Sequence, residues 1–257
     1  MRNHHLTIHE ALQSAVKWGI LSRNPADGVQ LPRVERREMH ILNEGDIAKL
    51  LEVAKATPYY SLFYIALYTG MRRSELLGLR WVDVDLDLSQ LSVTRTLHRL
   101  RNGTIVFQQP KTAKSRRMIA LPPSATLVLR EHYVKQEAGR ILLNIPFPPE
   151  DLVFSQSDGK PLQPDTVTHA WIKLARSAGL RGVRLHDSRH SHATIMLKAG
   201  IHPKVVQERL GHSSIQTTID TYSHVLPGLQ EAAAQRFDEG LRRHTPNVKN
   251  RVLSEKE

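Results

Sequence analysis

The sequence predicts a mainly helical α+β fold with a small antiparallel sheet of three strands. In most of the chain, apolar residues recur every three or four positions, which is typical of helices packed on a core. Between residues 81 and 121 the pattern changes to alternation, as at Leu91 and Val93, which is typical of strands. Asn102-Gly103 in the same stretch is a strong hairpin signal. Together, these patterns predict one short sheet flanked by helices along the chain.

The first helix and the stretch after it predict a boundary near residue 30. Residues 6–18 have helical periodicity and end at Gly19, and turn signals with mixed charges follow up to residue 40. One helix cannot bury its apolar face alone, so the start of the chain looks like the end of a larger domain. The predicted parts are a remnant of a helical domain, a linker, a main domain and a polar tail, at residues 1–30, 31–40, 41–245 and 246–257.

Caps and breakers delimit the predicted elements of the main domain. Asn43 with Asp46 three residues later predicts a helix N-terminus, and the next helix, which opens at Pro58, ends at Gly70. Strands are predicted at residues 82–88, 91–93, 105–107, 117–121 and 152–154. Further helices are predicted over residues 124–138, 164–178 and 227–242, and from His186 and Pro203 onward.

Composition narrows the class of protein. The 257 residues, 40% of them hydrophobic, suffice for one large domain or a domain plus a fragment. The net charge of +11 favours a polyanionic partner, nucleic acid first, although a basic soluble protein is the simpler alternative. The absence of cysteine excludes a disulfide framework and a thiolate zinc site. No apolar run approaches the roughly 18 residues of a membrane span, and no signal-peptide core is present, so we expect a cytoplasmic protein without a membrane partner.

A basic stretch runs through the predicted sheet. Seven Lys or Arg residues lie between Arg95 and Arg117, with no acid among them. A solvated strand edge explains a few of these charges, whereas an unbroken set fits phosphate contact better. The candidate DNA contacts are Arg95, Arg99, Arg101, Lys114, Arg116 and Arg117.

Polar residues interrupt an apolar stripe near residue 186. His186 and Arg189 share one helix face, which continues through apolar residues to Leu197. Leu210-Gly211-His212 follows, and Tyr222 comes ten residues after His212. Because buried polar groups need partners and a guanidinium pairs strongly with an oxyanion, this set is a candidate anion site.

These motifs resemble the tyrosine recombinase (phage integrase) family, in which His-x-x-Arg, Leu-Gly-His and a later tyrosine form most of the active site. Thr69 to Leu76 also resembles the family's first motif. Over residues 41–245 the resemblance implies the catalytic set Arg72, Lys111, His186, Arg189, His212 and Tyr222, with Lys114 as the alternative lysine and with Glu75 and Asp187 as structural support. It also implies a preceding core-binding domain, most of which is expected to be absent here.

The residue types permit phosphoryl transfer without a cofactor. Two arginines, Arg72 and Arg189, can hold the oxygens of a phosphodiester, and His186 and His212 can move protons. No acid cluster suggests a two-metal site, which favours a covalent intermediate and no metal or other cofactor. The resemblance then implies that Tyr222 forms a bond to the 3′ phosphate of DNA and that Lys111 protonates the leaving 5′ oxygen.

The expected function is site-specific cleavage and rejoining of double-stranded DNA, for integration or excision of a phage or other mobile element. The resemblance implies a homo-oligomer, a tetramer on DNA, held through the last helix. One alternative is a truncated, catalytically silent remnant that only binds DNA, and another is a metal-dependent phosphodiesterase. Simpler interpretations of single residues are a packing role for Tyr222, a surface salt bridge from Arg72 to Glu75, and a zinc site at His186, His190 and His192.

Overall fold

The computed structural model describes residues 2–30, 40–109, 116–222 and 229–242. The chain forms two compact units, residues 1–38 and residues 39–257. The predicted lysines, Lys111 and Lys114, lie outside the described residues, as do most of the predicted linker and the polar tail. No helix in the described ranges is long and apolar enough to cross a membrane.

The first unit is one helix with a short turn folded against it. Helix α1 spans Arg2–Lys17, which confirms the predicted helix, and the chain turns at Gly19 with a φ of 74°. Asn24 then ties the turn to the helix, since its Nδ2 donates to the His9 carbonyl at 3.1 Å and its Oδ1 accepts from the Ala26 amide at 3.0 Å. Trp18 of this unit remains 75% exposed.

In the second unit, the predicted caps start and end the first helices. Helix α2 spans Glu44–Ala54, and the Asn43 side chain and Asp46 form the reciprocal capping box that the sequence predicts. Helix α3 spans Tyr60–Thr69 and is buried on nearly all sides, because apolar residues surround its axis. The one-turn helix α4, Arg73–Leu76, follows directly.

Gly70 makes the close turn between α3 and α4 possible. Its φ of +64° lies in the left-handed region, as expected for a helix C-cap. A Cβ at this position would come within 2.7 Å of Leu210 Cδ2 and 2.9 Å of His192 Cδ2. The missing side chain therefore allows the two later helices that carry His192 and Leu210 to approach the end of α3.

The strands form two small antiparallel sheets rather than one. Three strands pair in the order β1-β2-β5, with β1 at Val84–Asp85, β2 at Gln90–Val93 and β5 at Arg117–Ala120. Strands β3 and β4, at Thr96–Arg99 and Ile105–Gln108, form a separate hairpin around Asn102-Gly103. A mainly helical α+β fold with a small antiparallel sheet is confirmed, but the hairpin does not join the three-stranded sheet.

Two predicted strands are wrong in extent. At residues 82–88 only Val84–Asp85 pairs, because a 3-10 turn occupies Trp81–Asp83 and Arg80 holds Asp83 through two hydrogen bonds at 2.8 and 3.1 Å. At residues 152–154, buried apolar side chains accompany a single bridge between Arg80 and Leu152. In both places, alternating or buried apolar residues line irregular backbone.

The remaining helices complete the second unit. Helices α5 to α10 span Pro123–Leu142, Pro164–Ser177, Leu185–Lys198, Pro203–Leu210, Ile215–Tyr222 and Leu229–Arg242. The main core surrounds α3, where Phe63 meets Trp171 of α6 edge to face with ring centres 5.1 Å apart. A second cluster joins α7, α8 and the end of α9, and it encloses the Tyr222 ring.

We predict that Gly70→Ala lowers the free energy of unfolding by about 1–3 kcal/mol, the usual cost of a strained backbone position, with the clash adding to it. Urea denaturation measures this change. Gly139→Ala is the matched control, since Gly139 lies inside α5 with open space around its Cβ. There alanine should stabilise the protein by about 0.5–1 kcal/mol. Equal effects of both changes would contradict the proposed role of the Gly70 turn.

Candidate active site

Arg189 is a buried cation that joins two helix ends. It lies on α7 and is 2% exposed. Its Nη1 donates to the Gly70 carbonyl at 2.8 Å and its Nη2 to the Leu210 carbonyl at 2.7 Å. Both carbonyls lie at C-terminal ends of helices, where the backbone carries partial negative charge. Burial lowers the pKa of Arg189 to about 9, so the guanidinium keeps its charge at neutral pH.

Glu75 is the acid that holds Arg72. Its carboxylate is 3% exposed and accepts from Arg72 Nη1 at 2.8 Å and from the Arg72 amide at 2.8 Å. Arg72 Nη2 also approaches the Gly211 carbonyl at 3.5 Å. The simpler interpretation of a surface salt bridge is wrong in one respect, because the acid is buried and only the Arg72 side chain is partly exposed, at 38%.

Arg117 is a second partner of Glu75. Its Nη1 and Nη2 donate to the two carboxylate oxygens at 3.1 and 2.9 Å, and its Nε donates to the Arg209 carbonyl at 2.6 Å. Burial raises the pKa of Glu75, but the hydrogen bonds and charges of Arg117 and Arg72 outweigh burial, so this pKa is lowered overall. Glu75 is therefore ionised at neutral pH, which suits the supporting role expected for it.

The expectation that Arg117 contacts DNA is corrected by its burial. The side chain is 6% exposed, and its guanidinium is engaged by Glu75 and the end of α8. A phosphate could reach it only if these buried hydrogen bonds broke. Its place in a basic stretch of the sequence suggested that Arg117 is exposed. The partners that bury it are 42 and 92 residues away in the chain, so the local sequence does not reveal them.

Asp187 fixes the start of α7. It is fully buried, and its Oδ2 accepts from the Arg184 amide at 2.8 Å while its Oδ1 accepts from Arg184 Nη2 at 2.9 Å. This arrangement closes a capping box and sets the first turn of the helix, where His186 lies. The geometry fits the structural role expected for Asp187.

Tyr222 ends α9 and lies beneath the histidines of α7. Its ring is 1% exposed, and its hydroxyl lies 2.9 Å from His190 Nδ1. The rings of His190 and His186 meet edge to face with centres 4.8 Å apart. Burial raises the pKa of Tyr222 to about 12, although the charge of Arg189 opposes the rise. The phenol is therefore un-ionised in this structure.

The three histidines of the site are neutral at neutral pH. Burial lowers the pKa of His190 to about 4, with a further contribution from His186. Burial also lowers the pKa of His212 to about 4, and Arg189 and Arg72 lower it further. The pKa of His186 is lowered by burial and then by Arg189. His212 Nδ1 lies 2.8 Å from Thr218 Oγ1, which orients its ring.

A further pair, the partly buried His192 and Arg209, lies beside the site and has no sequence signal of its own. Arg209 Nε donates to His192 Nε2 at 3.0 Å, and its terminal nitrogens donate to the Ala120 and Tyr68 carbonyls at 2.9 and 3.0 Å. His192 Nδ1 donates in turn to the Leu67 carbonyl at 3.0 Å. Burial lowers the pKa of His192 to about 3, so the ring is neutral.

The structure does not form the zinc site weighed for the three histidines of α7. His192 is held by Leu67 and Arg209, while His190 meets Tyr222. Across the described residues, no group of three or more His, Cys, Asp or Glu is arranged to hold a metal ion.

A cavity of about 860 Å³ opens beside Arg72 and His186. Arg99 and Arg101, two candidate DNA contacts, line it together with Arg73 and Arg184. Two other candidates lie elsewhere in different settings. Arg95 stacks over the Phe107 ring at 4.3 Å, and Arg116 is exposed beside Gln109 at 3.0 Å. The cavity is thus a basic groove that ends at the predicted catalytic arginine.

The model of the phage integrase family matches residues 40–228 of the sequence. The chain belongs to the phage integrase family. The match includes the segments that carry Arg72, Arg189, His212 and Tyr222, so the resemblance expected from the motifs is confirmed.

Named relatives agree with this assignment. The chain is 30% identical to a XerC-like tyrosine recombinase of Caldanaerobacter subterraneus subsp. tengcongensis, over 88% of this chain and 62% of the relative. It is also 30% identical to the ICEBs1 integrase of Bacillus subtilis, over 91% of this chain and 64% of the relative. The chain therefore spans less than two-thirds of the length of these relatives.

A solved structure supports the fold. The Tn1549 transposon integrase, determined in complex with a circular intermediate DNA, aligns with a TM-score of 0.79 and 22% identity. The alignment covers 92% of this chain and 78% of that chain. At this identity the likeness concerns the fold.

We predict that Glu75→Gln destabilises the protein by about 3–5 kcal/mol, because it leaves the buried charge of Arg117 without its counter-ion. Chemical denaturation at pH 7 measures the change. Asp87→Asn is the control, since Asp87 pairs with Arg130 on the surface with 91% of its side chain exposed. The control should have no measurable effect. A similarly small effect of Glu75→Gln would show that the buried network does not depend on this carboxylate.

Proposed function

We propose that this protein cleaves and rejoins DNA strands through a covalent bond between Tyr222 and a 3′ phosphate. The observation that carries the proposal is the convergence of two arginines, three neutral histidines and one tyrosine hydroxyl around the ends of α3, α7, α8 and α9. Arg189, His190 and Tyr222 interact directly or electrostatically within this cluster.

The arrangement suits the charge changes of phosphoryl transfer. A phosphodiester in line for attack gains negative charge on its non-bridging oxygens in the transition state. Arg72 and Arg189 are held by buried partners before substrate arrives, so their charges need little reorganisation. His212 is neutral and oriented by Thr218, which suits a hydrogen-bond donor to the same phosphate. Lys111 is proposed as the acid for the leaving 5′ oxygen and lies outside the described residues.

The substrate is proposed to be double-stranded DNA at the ends of a mobile element, for integration or excision. The names of the ICEBs1 integrase and the Tn1549 transposon integrase support this class, and the latter was solved with DNA. The basic cavity lined by Arg99, Arg101 and Arg184 gives the phosphate backbone a path to Arg72. The charge of +11 supports the same partner.

The first test uses a pool of nicked duplexes with a randomised core. We predict that the wild-type protein, with EDTA present, forms an adduct with part of this pool that survives a denaturing gel. Tyr222→Phe should form none while binding the same duplexes, because it removes only the attacking oxygen. Gel electrophoresis and filter binding measure the two properties.

Tyr133→Phe is the matched control, because Tyr133 packs edge to face on Trp81 in another part of the unit. It should form the adduct at the wild-type rate. Salt-sensitive DNA binding by all three proteins without any adduct would favour the alternative of a binding-only protein. An adduct that EDTA abolishes would favour metal-dependent chemistry.

The last helix is proposed to dock on a second copy of the chain. Phe237 and Leu241 of α10 are 70% and 54% exposed. An apolar cavity of about 610 Å³ lies between α2, α3 and α7, lined by Leu51, Leu67 and Met196 among others. Since both surfaces belong to the same chain, exchange of α10 between copies could close a ring.

We predict that Phe237→Ser with Leu241→Ser abolishes complexes with more than one protomer on the selected duplex, because the double change removes the apolar anchors of α10. Sedimentation velocity with labelled DNA counts protomers per complex. Leu127→Ser, at an exposed apolar position of α5, is the control and should leave assembly intact. Loss of thermal stability in the free double variant would indicate instead that α10 packs on its own chain.

A further inference from the structure

His190 contacts the hydroxyl that the proposed reaction uses. Its Nδ1 lies 2.9 Å from Tyr222 Oη, a normal hydrogen-bond distance. By residue type, His186 and His212 are expected to move protons, but His186 meets the His190 ring edge to face at 4.8 Å between centres. The structure therefore places a different histidine, four residues later on the same helix face, against the nucleophile.

The direction of this hydrogen bond follows from the burial of the phenol. Tyr222 is 1% exposed, and a buried hydroxyl needs an acceptor for its proton. In the described part of the chain, no second hydrogen-bond partner of Tyr222 Oη is found. The phenol therefore donates to His190 Nδ1, which requires that the ring carry its own proton on Nε2.

We propose that His190 Nδ1 accepts the proton of Tyr222 when the tyrosine attacks DNA, an inference that rests on the function proposed above. In this step the bond from Tyr222 Oη to phosphorus forms, the bond from phosphorus to O5′ breaks, and the phenolic proton moves to His190. The departing O5′ takes a proton from a separate donor, water or the predicted Lys111. Rejoining reverses each transfer and returns the proton from His190 to Tyr222.

Transfer of the proton from Tyr222 to His190 before the attack on phosphorus is strongly unfavourable. The pKa of Tyr222 is about 12 and that of His190 about 4, so a tyrosinate–imidazolium pair is rare in the free protein. The phenolic proton becomes acidic only as its oxygen bonds to phosphorus, which is when a nearby base is useful. The added charge of the phosphate also favours an imidazolium close to it.

Other features of α7 hold His190 in this place. Arg189, its chain neighbour, is fixed by the carbonyls of Gly70 and Leu210, and Asp187 caps the helix. On the other side, Tyr222 belongs to the apolar cluster with Leu197 and Leu210. Packed helices thus hold the imidazole and the phenol against each other, which favours proton transfer between them.

The first experiment needs no DNA. Nitrogen NMR of the histidine rings in the free protein distinguishes the two neutral tautomers. We predict the Nε2–H tautomer for His190, with Nδ1 as acceptor, and loss of its hydrogen-bond shift in Tyr222→Phe. The Nδ1–H tautomer would overturn the proposal, since that nitrogen could not take the proton.

The second experiment measures single-turnover cleavage of the duplex selected with wild-type protein. His190→Asn places an amide oxygen near the position of Nδ1, so it keeps an acceptor that cannot be protonated at neutral pH. We predict a fall in the cleavage rate constant of about 100-fold or more, with unchanged DNA affinity. His190→Ala should be equally slow, and added imidazole should restore part of its rate.

A duplex with sulfur in place of the leaving O5′ distinguishes a residue that acts as the base for Tyr222 from one that acts as the acid for the leaving group. Sulfur leaves without a proton, so a variant that lacks only the acid recovers on this duplex, whereas one that lacks the base of Tyr222 remains slow. We predict that both His190 variants remain slow. Their recovery would assign His190 to the leaving group and overturn the proposal.

Controls separate this inference from the proposed function. His132→Asn removes a partly buried histidine of α5 whose Nε2 donates to the Val153 carbonyl and whose ring packs on Phe154, outside the cluster that holds Tyr222, and it should retain the wild-type rate. A wild-type rate in His190→Asn, with the wild-type adduct present, would overturn the role of His190 and leave the proposed function standing. Absence of any wild-type adduct would overturn both.

Discussion

Arg189 lies where the ends of α3 and α8 meet the middle of α7, and its guanidinium donates to one carbonyl from each of those ends. A buried cation is costly unless its donors are paired, so the two helix ends and Arg189 stabilise one another. Helices α7 and α8 can approach the end of α3 closely because Gly70 carries no side chain. Gly70 of the first motif is thus linked to Arg189, 119 residues later in the chain, and through it to Leu210.

Glu75 is one buried acid that balances the charge of two arginines in the site. Glu75 neutralises part of the charge of Arg117 and Arg72, and each arginine has a different exposure. Arg117 is buried and braces α8 through the Arg209 carbonyl, whereas Arg72 reaches the edge of the basic cavity. One carboxylate thus supports a buried arginine and a second arginine whose side chain is partly exposed. The net positive charge that remains favours an anionic ligand.

The tyrosine and the histidines of the site are uncharged in the free protein. In the free protein, Tyr222 is a neutral phenol and His190 a neutral imidazole, because burial disfavours the charged form of each. The positive charge of Arg189 further disfavours an imidazolium at His190, whereas it partly offsets the effect of burial on Tyr222. A bound phosphate would supply negative charge to balance the positive charge of the arginines. For the proposed reaction, such a site would favour a charge distribution that exists only with the phosphate bound, which is the condition for preferential stabilisation of a transition state.

The sequence by itself determined the features that depend on near neighbours: the Asn43 capping box, the Gly70 turn, the Asn102-Gly103 hairpin and the family motifs. The strand predicted at residues 82–88 was wrong in extent. The sequence also did not reveal the burial of Arg117, the pairing of His192 with Arg209 or the contact of His190 with Tyr222. Caps and turns are set by residues a few positions apart, which a periodic pattern records. Burial and hydrogen bonding of long polar side chains depend on which helices and strands pack together, so only the tertiary structure decided them.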